Sequence, residues 1–216
     1  MDCNEGYEEG KQMPTIALVS GGIDSVVMCK ILEKQGEKII PIFIDYGQLS
    51  NEKEWDSCLN LFELSNLPKP KKVDLSGFGK EFPSGITSKD KDIKNDAFLP
   101  CRNLLFLLVG AAEAFQEGAE NISIGLLTEE SHLFPDQTEE FIINSNFAVN
   151  SALGKNLIIL TPLINFKKEE IIQLAKEYDI DLSKTYSCHK GGDKYCGECI
   201  SCQEILDTDE KLPQFE

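Results

Sequence analysis

Ser20-Gly21-Gly22-Ile23-Asp24-Ser25 stands between an apolar run, residues 16–19, and an apolar-periodic segment that begins near Val26. This order predicts a strand, a tight glycine turn and a helix start, the unit from which α/β sheets are built. Gly21 and Gly22 can take positive φ and bring backbone close to a bound group, while Ser20, Asp24 and Ser25 set hydroxyls and a carboxylate at a helix N-terminus. Free N–H groups and the positive end of the helix dipole favour an anion there, so the turn suits a phosphate. It is not a Walker loop, because no Lys follows the glycines and the spacing is too short. An ordinary glycine turn with a capped helix fits the same six residues, and the rest of the chain has to decide between the two.

Beyond this turn, strand-like and helix-like segments alternate. Apolar and β-branched runs predict strands at residues 15–19, 38–44, 72–75, 122–126 and 157–160. Apolar spacing predicts helices at 24–35, 51–65, 104–115, 138–153 and 167–179. The alternation argues for a doubly wound parallel sheet of about five strands, and 216 residues with 41% hydrophobic content fit one such domain with a small appendage. Three parts are expected: a loose acidic N-terminus over 1–13, an α/β domain built on the glycine turn over 14–182 and a four-cysteine segment with its tail over 183–216. On the second helix, Trp55, Leu59 and Phe62 share the expected buried face.

In open α/β sheets ligands collect at the carboxyl ends of strands, which places Asp45, Tyr46, Gly47 and Gln48 beside the glycine turn. The stretch 76–99 lacks periodicity and is read as a lid or as plain surface loop. Arg102 falls in the first turn of the most apolar helix, where the dipole disfavours a cation. It either answers a buried or bound anion or swings out to solvent.

Net charge is −16, from 37 acidic against 21 basic residues, which disfavours a nucleic-acid substrate. No run approaches a membrane span and the first twelve residues are polar rather than signal-like, so a cytoplasmic location without membrane contact is expected. In a reducing compartment the eight cysteines read as metal ligands or buried side chains. Cys29 and Cys58 fit burial. Cys188, Cys196, Cys199 and Cys202 lie in one short glycine-containing segment and offer the four soft ligands of a structural zinc site, with a [4Fe–4S] cluster as the competitor. His189 is read as a bystander or a substrate contact. His132 lies in the polar loop after the fourth strand.

The glycine turn resembles the pyrophosphate loop (PP-loop) of enzymes that split ATP into AMP and pyrophosphate. Further segments resemble one family of them, the QueC-type 7-cyano-7-deazaguanine synthases. These are Phe43-Ile44-Asp45-Tyr46-Gly47-Gln48, Leu99-Pro100-Cys101-Arg102-Asn103, Phe134-Pro135-Asp136, Thr161-Pro162-Leu163-Ile164 with Lys168 and Glu170, and Ser187-Cys188 through Cys202. The resemblance implies the adenine nucleotide alpha hydrolase-like fold and a homodimer, with ATP, Mg2+ and Zn2+ as cofactors. It implies adenylation of 7-carboxy-7-deazaguanine, attack by ammonia to give an amide, and a second ATP-dependent round that gives the nitrile. Ser20, Gly21, Gly22 and Ser25 would then grip the pyrophosphate and Asp24 would position magnesium. Arg102 and Lys168 would neutralise developing charge, with Asp45, Tyr46 and Gln48 beside the nucleotide. Phe134 would stack on the purine-like base, Asp136 would pair with its two-donor edge, and Asn103 would lie beside the substrate.

Two segments depart from the family pattern. Gln48-Leu49-Ser50 stands where Gln-Arg-His is usual, and the loop ending Phe134-Pro135-Asp136-Gln137-Thr138 lacks the usual cysteine and arginine. Activation thus looks intact while acceptor handling looks altered, as in antiphage-defence relatives that join the deazaguanine acid to a protein amine. From a different class, a zinc-stabilised nucleotide-binding subunit without turnover also fits, although Asp24, Ser25, Arg102 and Lys168 argue against it.

Overall fold

The computed structural model describes residues 13–128, 134–210 and 212–215. His132 and most of the expected loose N-terminus lie outside them. Five strands, β1 (Pro14–Val19), β2 (Lys38–Asp45), β3 (Lys71–Asp74), β4 (Asn121–Ser123) and β5 (Ile158–Leu160), form one parallel sheet in the order β3-β2-β1-β4-β5. All six residues of β1 are buried, as a central strand covered on both faces requires.

The helices divide between the two faces. α1 (Ile23–Lys34), α2 (Asn51–Leu64) and α6 (Lys168–Glu177) pack on one core with Val26, Val27, Phe62, Ile171 and Ile172. α4 (Arg102–Glu117) and α5 (Glu139–Leu153) cover the other, around Leu107, Ile122 and Val149. From β1 the chain winds outward to β2 and β3, crosses through α4, and resumes at β4. The strand order therefore reverses beside β1, and a cleft opens at the carboxyl ends there.

Three expectations change in detail. β4 stops at Ser123 instead of continuing to residue 126, because the chain leaves the ladder and Ile124 to Leu127 line the cleft. α2 buries Glu54, Ser57, Cys58, Leu61 and Phe62, a face rotated from the expected one; Leu59 is only half-buried. The 76–99 stretch is a packed wall. It contains the short helix α3 (Gly77–Glu81), buries Ile86, Ala97 and Leu99, and is tied down by Gly79 N–H on Tyr46 O (2.9 Å) and Leu49 N–H on Ile86 O (2.9 Å).

α7 (Ile200–Leu206) follows the cysteine segment, which returns to the sheet's cleft: Tyr186 N–H donates to Gly21 O at 2.8 Å. Among the described residues no helix is long and apolar enough to cross a membrane.

Candidate active site and metal centre

The cleft has a volume of about 280 Å³ and is bounded by the turn after β1, the ends of β2 and β4, the start of α4 and the cysteine segment. Neither Gly21 nor Gly22 takes positive φ; Gly22 has φ −84 and caps α1. The demand for glycine at 21 is steric instead. A Cβ there would sit 2.4 Å from the Glu54 carbonyl oxygen. Gly21 O also accepts from Ser57 Oγ at 2.8 Å, so the turn is clamped between α2 and the cysteine segment.

The serines shape this turn. Ser25 Oγ accepts from Ser20 N–H at 3.1 Å and lies 2.9 Å from Ser20 O, while Ser20 Oγ accepts from Gly22 N–H at 3.2 Å. Ser20, Gly22, Asp24 and Ser25 all line the cleft. The first turn of α1 has N–H groups without intrahelical partners, and they begin here.

Lys168, at the start of α6, is only 8% exposed and donates to both carboxylate oxygens of Asp24, at 2.8 and 2.7 Å. Glu204 on α7 stands 3.6 Å from the same ammonium. Burial works against the Lys168 charge, but Asp24 and Glu204 outweigh it and leave the ammonium above its ordinary range. Burial raises Glu204 in turn, partly offset by Lys168.

At the β2 end a second polar group forms. Tyr46 N–H donates to Gln48 Oε1 at 2.9 Å, Gln48 Nε2 donates to Glu54 Oε2 at 3.1 Å, and Ser50 Oγ donates to Glu54 Oε1 at 2.7 Å. Burial raises the Glu54 carboxyl and pushes the Tyr46 phenol up to about 12. The Arg102 guanidinium lies 5.9 Å from the Tyr46 ring and 5.8 Å from the Phe106 ring, and Arg102 lines the cleft. Asp45 accepts from Gly47 N–H at 3.1 Å and faces Lys72 at 3.4 Å; it holds the turn and is not on the cleft wall.

Phe134 and Gln137 line the cleft, and Phe134 stacks on Phe98 with centroids 5.0 Å apart. Asp136, between them, is buried and turned away. Its Oδ2 accepts from Asn103 N–H at 3.3 Å and its carbonyl accepts from Asn103 Nδ2 at 2.8 Å, so it caps the start of α4. Asn103 itself lines the cleft.

Sequence reasoning did not single out Glu54 or Glu204 and left His189 undecided; all three line the cleft. Burial, with the charge of Arg102, pushes His189 down to about 4, so it is neutral at pH 7. Among the described residues its Nδ1 has no hydrogen-bond partner.

The thiol sulfurs of Cys188, Cys196, Cys199 and Cys202 lie within 4.8 Å of one another. Tetrahedral zinc with Zn–S bonds of about 2.3 Å requires sulfurs about 3.8 Å apart, and Cys196 Sγ to Cys202 Sγ is 3.9 Å. Backbone N–H groups of Cys196, Glu198 and Cys199 point at sulfur from 3.3 to 3.4 Å, a set that offsets thiolate charge. Gly197, at φ +70, makes the knuckle possible. The donor set fits a closed metal site.

A five-stranded parallel sheet that carries Ser-Gly-Gly-x-Asp-Ser at its first strand–helix turn defines the chain as a PP-loop protein of the ATP pyrophosphatase class. The chain belongs to the QueC family: the family described as "Queuosine biosynthesis protein QueC" matches residues 14–208. The 7-cyano-7-deazaguanine synthase of Nautilia profundicola is 35% identical over 206 residues, covering 91% of this chain and 93% of that protein. That of Nitratiruptor sp. is 34% identical over 209 residues, covering 92% and 94%. A crystal structure of a 4-thiouridine synthetase with RNA and ATP shares the fold, with a TM-score of 0.51 and 21% identity over 94% of this chain and 51% of that one.

Proposed function

We propose that this chain is an ATP-dependent carbon–nitrogen ligase that converts 7-carboxy-7-deazaguanine to 7-cyano-7-deazaguanine. In the first round a carboxylate oxygen attacks the α-phosphorus of ATP and pyrophosphate leaves. Ammonia then attacks the acyl carbon, AMP leaves and an amide forms. In the second round the amide oxygen is adenylated, and loss of AMP with protons from nitrogen leaves the nitrile.

The observation that carries this reading is Asp24, on the cleft beside the N-terminus of α1, held through both carboxylate oxygens by the buried Lys168 behind it. Adenylation builds negative charge on phosphorus and on departing pyrophosphate, and preorganised N–H groups and cations lower that barrier. Ser20, Gly22 and Ser25 hold the pyrophosphate by hydroxyl and backbone groups, and Gly21 lets their turn seat against α2. Lys168 follows the developing charge from a buried, oriented position, and Arg102 supplies a second cation at the cleft wall. Asp24 would hold a nucleotide-bound magnesium, which neutralises phosphate charge. Tyr46 and Gln48 form the wall beside the nucleotide, and Asp45 supports their turn. The four cysteines would hold a zinc ion whose role is structural. That metal site keeps Ser187, His189 and Glu204 over the cleft.

A second reading rests on acceptor handling. Ser50 and Gln137, which stand in segments where the family pattern changes, are spent on internal bonds, Ser50 to Glu54 and Gln137 to Phe134 N–H. Ser50 and Gln137 themselves carry no charge, which favours a changed acceptor such as a protein amine. Mass spectrometry of products from ATP, 7-carboxy-7-deazaguanine and ammonia, with and without candidate partner proteins, separates the two readings. The nitrile supports the first, a deazaguanine–protein amide supports the second, and neither product with ATP untouched overturns both. The resemblance carries a homodimer into this reading, which light scattering checks.

A further inference from the structure

We propose that Glu54, with Arg102 on the same cleft wall, reads the O6, N1–H and exocyclic-amine edge of the deazaguanine. The inference rests on the activity proposed above and names the residue that selects the base.

Asp136 is the carboxylate that sequence order offers for this task, but its Oδ2 accepts from the backbone at the start of α4 and the residue is not on the cleft wall. Glu54 is on the cleft wall, 9% exposed, on the buried face of α2. It is not simply a satisfied structural group. Ser50 occupies one lone-pair site on Oε1 and Gln48 one on Oε2, so each oxygen keeps a second site. The two donors also fix the carboxylate plane, which a flexible glutamate would otherwise have to lose entropy to adopt. Burial raises this carboxyl, so an incoming pair of donors meets a desolvated acceptor, the setting in which charge-assisted pairing is strongest.

The guanine edge is an acceptor followed by two donors. A carboxylate matches the donors, N1–H and the 2-amino group, with two parallel hydrogen bonds. The acceptor, O6, and the adjacent 7-carboxylate need a cation on the same side. Arg102 supplies it: its guanidinium lies on the cleft wall beside the Tyr46 and Phe106 rings and acts electrostatically on Glu54 and on Tyr46. Tyr46 and Phe106, with centroids 5.3 Å apart, give apolar surface for the flat ring. Adenine-like edges present the opposite pattern at N1 and C6 and would set acceptor against acceptor.

The test compares binding of 7-carboxy-7-deazaguanine with that of its 2-desamino analogue, by calorimetry, on wild type and Glu54→Gln. Wild type is expected to prefer the 2-amino compound by about tenfold to a hundredfold, the scale of one charge-assisted hydrogen bond, and Glu54→Gln to bring the two to within about threefold. The ratio is internal to each protein, so lower stability alone does not move it. A wild-type ratio retained in Glu54→Gln overturns the assignment while leaving the activity intact. Wild type that binds ATP but neither acid overturns the activity reading and this one with it. If Glu54→Gln does not fold, Glu54→Asp, which keeps the charge and withdraws it by one methylene, is expected to weaken the 2-amino compound more than the analogue; equal weakening overturns the inference.

Discussion

Lys168 Nζ donates to both carboxylate oxygens of Asp24, at 2.8 and 2.7 Å, across 144 positions of chain. The contact joins the start of α6 to the first turn of α1, where Asp24 lines the cleft. Asp24→Asn is therefore expected to leave the fold intact and to cut ATP-to-pyrophosphate turnover by about a hundredfold, the cost of losing an oriented charge. Pyrophosphate release measured at saturating ATP checks this, and full activity would take Asp24 out of the mechanism.

The same pair has a pH signature. The Lys168 ammonium is held above its ordinary value of 10.5 in the fold, so its contribution is fully present below that value and is lost as pH rises through the higher folded one. Denaturant titrations at pH 8 and above pH 10.5 are expected to show a smaller alkaline loss in Lys168→Met than in wild type. Equal losses would mean that the pair does not contribute to the alkaline profile.

Gly21 is under steric demand from Glu54 O at 2.4 Å. Gly21→Ala forces the turn or α2 to move, at about 1–3 kcal/mol for overpacking. Thermal melts check the stability loss. An alanine variant with wild-type melting and turnover would show that the turn shifts freely.

Cys199→Ala removes one of the four cysteines of the candidate metal site; structural zinc in small zinc peptides contributes roughly 10–16 kcal/mol of apparent binding energy. Zinc content is expected to fall and proteolysis near residues 186–200 to quicken. Turnover should fall too, because Ser187 and His189 on the cleft are carried by this segment. Metal analysis that finds neither zinc nor iron in freshly purified wild type would dismiss the metal site.

Asp136→Ala leaves the buried N–H of Asn103 without its acceptor, and stability without any ligand is expected to fall by about 1–3 kcal/mol. Chemical denaturation checks it. Unchanged stability with severely weakened deazaguanine binding would return Asp136 to the direct substrate role that its sequence position suggested.

The contrast between Asp136 and Glu54 shows where sequence reading stops. Both are acidic residues near helix starts, and only Asp136 stands in a segment that resembles the family's pattern. Periodicity arguments count apolar residues, so they drew the buried face of α2 through Trp55, Leu59 and Phe62 and passed over Glu54 and Ser57, polar groups on the true buried face. Likewise nothing local in the sequence marks Glu204. Its importance comes from Lys168, which approaches from a different helix.

Sequence alone determined what local spacing can encode: the strand–turn–helix at Ser20 to Ser25, the alternation that makes a parallel α/β sheet, and four thiolates close enough in chain to share a metal. Short-range geometry suffices for these, because a turn, a helix stripe or a knuckle is built from neighbours. Tertiary structure decided which carboxylate faces the cleft, why Gly21 must be glycine, and that the 76–99 stretch is a wall. Each depends on a contact between elements remote in sequence, set by how α2, α6 and the cysteine segment pack around the end of the sheet, and no local pattern records such a contact.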